Sequence, residues 1–209
     1  RNHTGTFTDS QNQNISISER SRSIKSIFTI LRDKAVYGKR EFESVNDRTR
    51  GQVEEYQYRV GSLVYPDHKV QIGLRNSGEA VSQAYKALGG ALTDVHHGSC
   101  LTADSFVRGM GSAGAAADQL PAPGIITDAD KKGKCVFGMT FESTTQDSAF
   151  LESGLNSAAQ ALPIEFRADG PSPVFNNGGT TAASFRVNSY VLVDAIFSFL
   201  PNGEVSASV

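Results

Sequence analysis

The chain has 209 residues and a formal net charge of −2, from 20 basic and 22 acidic side chains. That length is ample for a hydrophobic core. The near-neutral balance gives no strong nucleic-acid-binding signal, because tight non-specific binding draws on an excess of Lys and Arg. Only 20% of residues are charged, Trp is absent and Gly numbers 20, a mixture that favours strands joined by polar loops over bundles of charged helices.

Residues 1–12 are polar and read as an N-terminal arm or linker before a single domain at 13–209. Ile15 and Ile17 alternate with Ser16 and Ser18, the period of a half-buried strand. Ser23 to Leu31 is rich in β-branched and aromatic residues on both faces, as a covered strand should be. Residues 32–51 are charged and contain Gly38 and Gly51, a long excursion. Strand character resumes at Val53 to Val60, where Tyr56, Tyr58 and Val60 share one face. Gly61 and Pro66 punctuate the next stretch, and His68 to Ile72 suits a further short strand.

One helix is expected near 76–89. Asn76 is a candidate N-cap, Glu79 closes a capping box, and Gly89-Gly90 supplies a stop. Residues 111–133, with Pro121, Pro123 and Gly124, form a long loop suited to an interaction surface. Strands return at Lys134 to Phe141, Leu162 to Arg167, Ala183 to Asn188 and Ser189 to Leu200. Asn202-Gly203 marks a hairpin that folds Val205, Ala207 and Val209 back on the preceding strand. About eight to ten strands, one inserted helix and long loops point to an all-β fold, a jelly-roll β-sandwich.

No stretch is apolar for the roughly 20 residues that a membrane helix needs; the longest, Tyr190 to Leu200, is broken by Asp194. The N-terminus has no apolar signal segment and starts at Arg1, as expected of a processed product or a piece of a longer polypeptide. Cys100 and Cys135 form no CxxC pair, so two buried, reduced thiols are expected.

Candidate chemistry is sparse. Gly109-Met110-Gly111-Ser112-Ala113-Gly114 matches GxGxxG, with Asp128 and Asp130 near the distance of a ribose-binding carboxylate. The strand before it and the helix after it are too short for a dinucleotide site, so a glycine loop is the plainer reading. Asp94, His96, His97 and Ser99 cluster, but adjacent histidines on a strand point to opposite faces. Asn2-His3-Thr4 and Asn14-Ile15-Ser16 are N-glycosylation sequons, meaningful only on a secretory route. Arg20, Arg22, Lys25, Arg32 and Lys34 bias the early chain basic, and Glu43, Asp47, Glu54 and Glu55 balance it. No catalytic, cofactor-binding or metal-binding residue is assigned, and no enzymatic activity is expected.

The stretches Ser23-Ile24-Lys25-Ser26-Ile27-Phe28 and Tyr56-Gln57-Tyr58-Arg59-Val60-Gly61-Ser62-Leu63-Val64-Tyr65-Pro66 resemble the major capsid proteins of tailless icosahedral DNA viruses. So do Ser153-Gly154-Leu155-Asn156, Pro163-Ile164-Glu165-Phe166 and Arg186 to Asp194. The likeness is to the double-jelly-roll branch of virophages, polinton-like viruses and adintoviruses, over most of residues 20–70 and 135–209. Double-roll proteins are longer, so the resemblance implies one roll, by its ending the C-terminal one.

It further implies a homotrimeric capsomer meeting neighbouring capsomers in a virion shell, with a second jelly roll of the same polypeptide as a further partner and the loops at 32–51 and 111–133 as tower or inter-subunit segments. The competing expectations are a carbohydrate-binding sandwich, using Tyr37, Tyr56, Tyr58, Tyr65, Tyr85 and Tyr190 as stacking surfaces, and a cupin-like enzyme converging His96, His68 and Glu79.

Overall fold

A computed structural model describes residues 2–7, 12–33, 48, 53–72, 78–91, 135–141, 154–168, 185–201 and 203–208. Ten strands and one helix are defined among them: β1 (Asn2–Phe7), β2 (Asn12–Ile17), β3 (Ile24–Asp33), β4 (Val53–Val60), β5 (Leu63–Gln71), α1 (Gly78–Ala91), β6 (Phe137–Thr140), β7 (Leu162–Ala168), β8 (Phe185–Val193), β9 (Ile196–Phe199) and β10 (Val205–Ser208).

The strands form two four-stranded antiparallel sheets, ordered β1-β8-β3-β6 and β2-β7-β4-β5, and a separate hairpin, β9-β10. The pairs β1/β8, β2/β7, β3/β6 and β4/β5 nest within one another along the chain. The pairs β3/β8 and β4/β7 then close each sheet. A long antiparallel ribbon rolled up on itself in this way is the jelly roll expected from the sequence.

Alternation decides which side chains enter the sandwich. In β4, Tyr56, Tyr58 and Val60 are buried between the sheets, while Glu55, Gln57 and Arg59 lie on the opposite face. β7 contributes Leu162, Ile164 and Phe166 from the same sheet. The other sheet answers with Ile27, Leu31, Phe137, Phe185 and Val187. Rings meet edge to face at the centre, with centroids 5.2 Å apart for Tyr56–Phe137 and 4.8 Å for Phe137–Phe166, the geometry that the ring quadrupole favours.

The helix lies on the outer face of the β1-β8-β3-β6 sheet, against β6. Ala80, Ala84 and Ala87 make its buried stripe. Small residues alone let it approach so closely: a Cβ on Gly138 would stand 2.8 Å from the Ala84 Cα. No helix among the described residues is long and apolar enough to cross a membrane.

Four local expectations are corrected. Residues 2–7, read as part of an arm, form β1 and pair with β8 from Asn2↔Tyr190 to Phe7↔Phe185. The ladder supplies the order that a polar sequence does not advertise. The short strand at 68–72 is the end of the longer β5, which passes through Pro66. That is tolerated because β5 is an edge strand. The strands expected at 183–188 and 189–200 divide elsewhere: 185–193 is the single strand β8 and 196–199 is β9, the break falling where Asp194 leaves the ladder and accepts from the Ser23 side chain at 2.8 Å.

The helix runs from 78 to 91, through the expected Gly89-Gly90 stop, where its packed alanine stripe outweighs the modest propensity cost of glycine. The turn at Gly61 behaves as its sequence suggests. Gly61 takes φ 59 between the paired residues Val60 and Leu63, a conformation that suits a two-residue hairpin.

Candidate functional site

Much of the sequence-marked chemistry lies outside the described residues: Gly109 to Gly114, Asp128, Asp130, the Asp94/His96/His97/Ser99 group, Asn76, Tyr37 and Cys100. The same holds for nearly all of the excursion at 32–51 and for the whole of the loop at 111–133. Cys135 is buried. Of the sequons, Asn2 lies in edge strand β1 and Asn14 is exposed on edge strand β2.

Two of the three residues considered for a cupin-like centre do meet. The Nε2 of His68 is 2.5 Å from a Glu79 carboxylate oxygen, and its Nδ1 is 3.0 Å from Asp67. Both carboxylates favour the protonated ring, so the hydrogen bonds to Asp67 and then Glu79 raise the His68 pKa. The cluster is exposed and ties β5 to the first turn of α1, with Glu79 also accepting from the Gln71 amide at 3.4 Å. No group of three or more metal-capable side chains forms among the described residues. The arrangement can act as a solvent-facing clasp between strand and helix.

The outer face of the β2-β7-β4-β5 sheet carries a ladder of polar side chains. Glu55 accepts from Gln71 at 2.9 Å and pairs with Arg167 at 3.3 Å and Lys69 at 3.7 Å. The Gln71 hydrogen bond and these two cations hold its carboxyl below the usual range, against the opposing effect of burial. Arg59 pairs with Glu165 at 2.8 Å. A shallow groove of about 370 Å³ runs along this face past Asn12, Asn14, Gln57 and Arg167. Its charges are already matched to one another within the sheet.

Between the sheets the space is filled. Tyr56 and Tyr58 are completely buried, so neither can stack on a sugar. Their hydroxyls are spent on the fold: Tyr56 donates to the Gly138 carbonyl at 2.9 Å and Tyr58 to the Phe137 carbonyl at 2.8 Å. Tyr65 packs edge to face on Phe141 with centroids 5.4 Å apart. Tyr85 and Tyr190 keep part of their surface exposed, and they lie on the helix and on β8 respectively.

Two apolar surfaces stand out instead. The first is the hairpin β9-β10. Ile196, Phe197, Phe199, Leu200 and Val205 are all exposed there, Phe199 at 80%. Adjacent strand residues point to opposite sides, so both faces of this two-stranded ribbon are apolar and wet. The second is a groove of about 260 Å³ on the outer face of the β1-β8-β3-β6 sheet, beside α1. Phe28, Ile30, Leu88 and Tyr190 line it, with Arg32 and Arg48. In the ladder beneath, Arg32 lies directly opposite Arg186.

The sequence marks the hairpin as a hairpin, which the β9/β10 pairing bears out, but not the exposure of its apolar residues. The available signal was Ile196-Phe197-Ser198-Phe199, three large apolar residues in a four-residue strand after the break at Asp194. No family model and no curated protein matches this chain.

Proposed function

We propose that this chain is a structural subunit, a jelly-roll viral major capsid protein that trimerises into capsomers and builds an icosahedral shell in the virion. The observation that carries this reading is a jelly roll filled by its own aromatic side chains, with its conspicuous apolar surface on the outside. Jelly rolls serve chiefly as capsid subunits, lectins and cupins. The last two use a concave site with convergent polar groups, whereas a shell subunit uses rigid faces and exposed contacts. The resemblance of residues 20–70 and 135–209 to double-jelly-roll capsid proteins supports the same reading. Neighbouring rolls are then further copies of this chain, or a second roll of a longer polypeptide. No catalytic residue, metal or cofactor enters the proposal.

The test is negative-stain microscopy of the assembled protein. Closed particles, or three-lobed capsomers, are expected. A uniformly monomeric preparation that binds glycans, or that carries stoichiometric metal, overturns the reading in favour of a carbohydrate-binding or cupin-like module.

A further inference from the structure

Residues 21–25 form a spine with a flank on either side. On one flank the backbones of Ile24 and Leu155 exchange hydrogen bonds at 2.8 Å in both directions, and the Ser157 amide donates to the Ser21 carbonyl at 2.9 Å. Gly154 comes so close that a Cβ there would stand 2.3 Å from the Ile24 carbonyl oxygen, an approach that only glycine allows. On the other flank β8 runs out. Val193 pairs with Ile24 at the end of the ladder, and the Asp194 amide donates to the Ser23 carbonyl at 3.1 Å.

One side chain touches both flanks. The Ser23 hydroxyl donates to Asp194 Oδ2 at 2.8 Å and accepts from the Gly154 amide at 2.9 Å. A hydroxyl has one proton, and spending it on Asp194 turns a lone pair toward Gly154, so each bond orients the other. The acceptor is a carboxylate, which strengthens the bond to it. Lys25 meets the same Asp194 oxygen at 3.5 Å.

Beyond Asp194 the chain leaves both large sheets. β9 and β10 pair with each other and belong to neither four-stranded sheet, and a two-stranded ribbon with no sheet beneath it takes its direction from its root. Ile196, Phe197, Phe199, Leu200 and Val205 are all exposed along it.

We infer that the Ser23 hydroxyl is a latch: it fixes the direction in which the β9-β10 arm leaves the sandwich, and it couples that arm to the segment 154–157. With the latch closed, the apolar arm is presented at one set angle. With it broken, the arm swings about Asp194-Ala195 while the core between the sheets stays packed. The latch belongs to a single protomer and holds whether or not copies assemble.

The experiment uses the full chain with Cys100→Ser, leaving the buried Cys135 in place. Spin labels go on Ser206→Cys in the arm and Ser62→Cys in the Gly61 turn, both exposed positions. The labelled protein is diluted with unlabelled protein so that distances within one chain are read. With the latch intact, one narrow distance distribution is expected. Ser23→Ala and Asp194→Ala should each broaden or shift it, and Ser23→Thr, which keeps the hydroxyl, should leave it narrow. A control pair at Ser62→Cys and the exposed Lys86→Cys of α1 should not change. Amide exchange at Gly154 should quicken severalfold in Ser23→Ala, which removes its acceptor, and also in Asp194→Ala, which removes the group that orients that acceptor. A narrow, unshifted distribution in both alanine variants, or one as broad as theirs with the latch intact, overturns the latch. So does a control pair that broadens along with the arm, since the loosening is then global. Gly154 exchange that ignores Asp194→Ala overturns the coupling.

Discussion

Tyr58 on one sheet donates its phenolic hydrogen to the carbonyl oxygen of Phe137 on the other, at 2.8 Å, through the middle of the sandwich. The Tyr58 phenolic oxygen lies 3.0 Å from Thr29 Oγ1, which in turn lies 2.9 Å from Ser189 Oγ. A phenol has one proton, and the carbonyl takes it. The Thr29 hydroxyl, with a proton of its own, completes the pair by donating to Tyr58. Burial pushes the Tyr58 pKa well up, with the Thr29 hydrogen bond opposing weakly, so the group stays neutral and serves as a tie between the sheets. Tyr58→Phe removes that tie and its hydrogen bonds to the Phe137 carbonyl and the Thr29 hydroxyl, the latter keeping Ser189. The expected loss is about 1–3 kcal/mol, read as a lower urea midpoint with an unchanged slope. Stability equal to wild type would mean the bond does not hold the sheets.

Gly138 is the position where helix and sheet come closest. Gly138→Ala drives a methyl group toward the Ala84 backbone. It should destabilise the fold by about 1–3 kcal/mol, seen as a lower melting temperature. Gly78→Ala is the control, because a Cβ there meets nothing within 4 Å and alanine favours a helix; it should be neutral or better.

The clasp between β5 and α1 predicts a histidine that titrates high. His68 should show an NMR midpoint above its ordinary 6.5, and Glu79→Gln should bring it down. Because the folded pKa is raised, the contact contributes fully below the unfolded value and is lost as pH rises through the folded one. A wild-type midpoint at or below 6.5 would show that the two carboxylates do not hold the ring.

Glu55 predicts the opposite limb. Its folded pKa is depressed from 4.5, so its contribution is present above that value and lost as pH falls through the lower folded one. Glu55→Gln should therefore lower the melting temperature at pH 7, and by progressively less as pH falls through the folded pKa. An effect that does not shrink at any acidic pH would mean that charge plays no part in the Gln71–Arg167–Lys69 contact.

The sequence carried the parts of the fold with strong local periodicity. β4 was legible because Tyr56, Tyr58 and Val60 alternate with Glu55, Gln57 and Arg59. The final hairpin was legible because Asn202-Gly203 separates two apolar runs. β1 was hidden, since Asn-His-Thr-Gly-Thr-Phe has no apolar alternation in its sequence, and it pairs as a strand with β8. β5 was shortened because Pro66 reads as a break, and only its edge position explains its place in a strand. Least legible was the surface. The strand Ile196–Phe199 has the composition of a core strand, and nothing in composition says that a core-like strand leaves its own sandwich.

The central claim is that this jelly roll is a building block, and mass in solution tests it most directly. Sedimentation velocity of the full-length protein over a hundredfold range of concentration should show a species of three protomers, giving way to larger closed assemblies as concentration rises. A single species of one protomer at every concentration would contradict it.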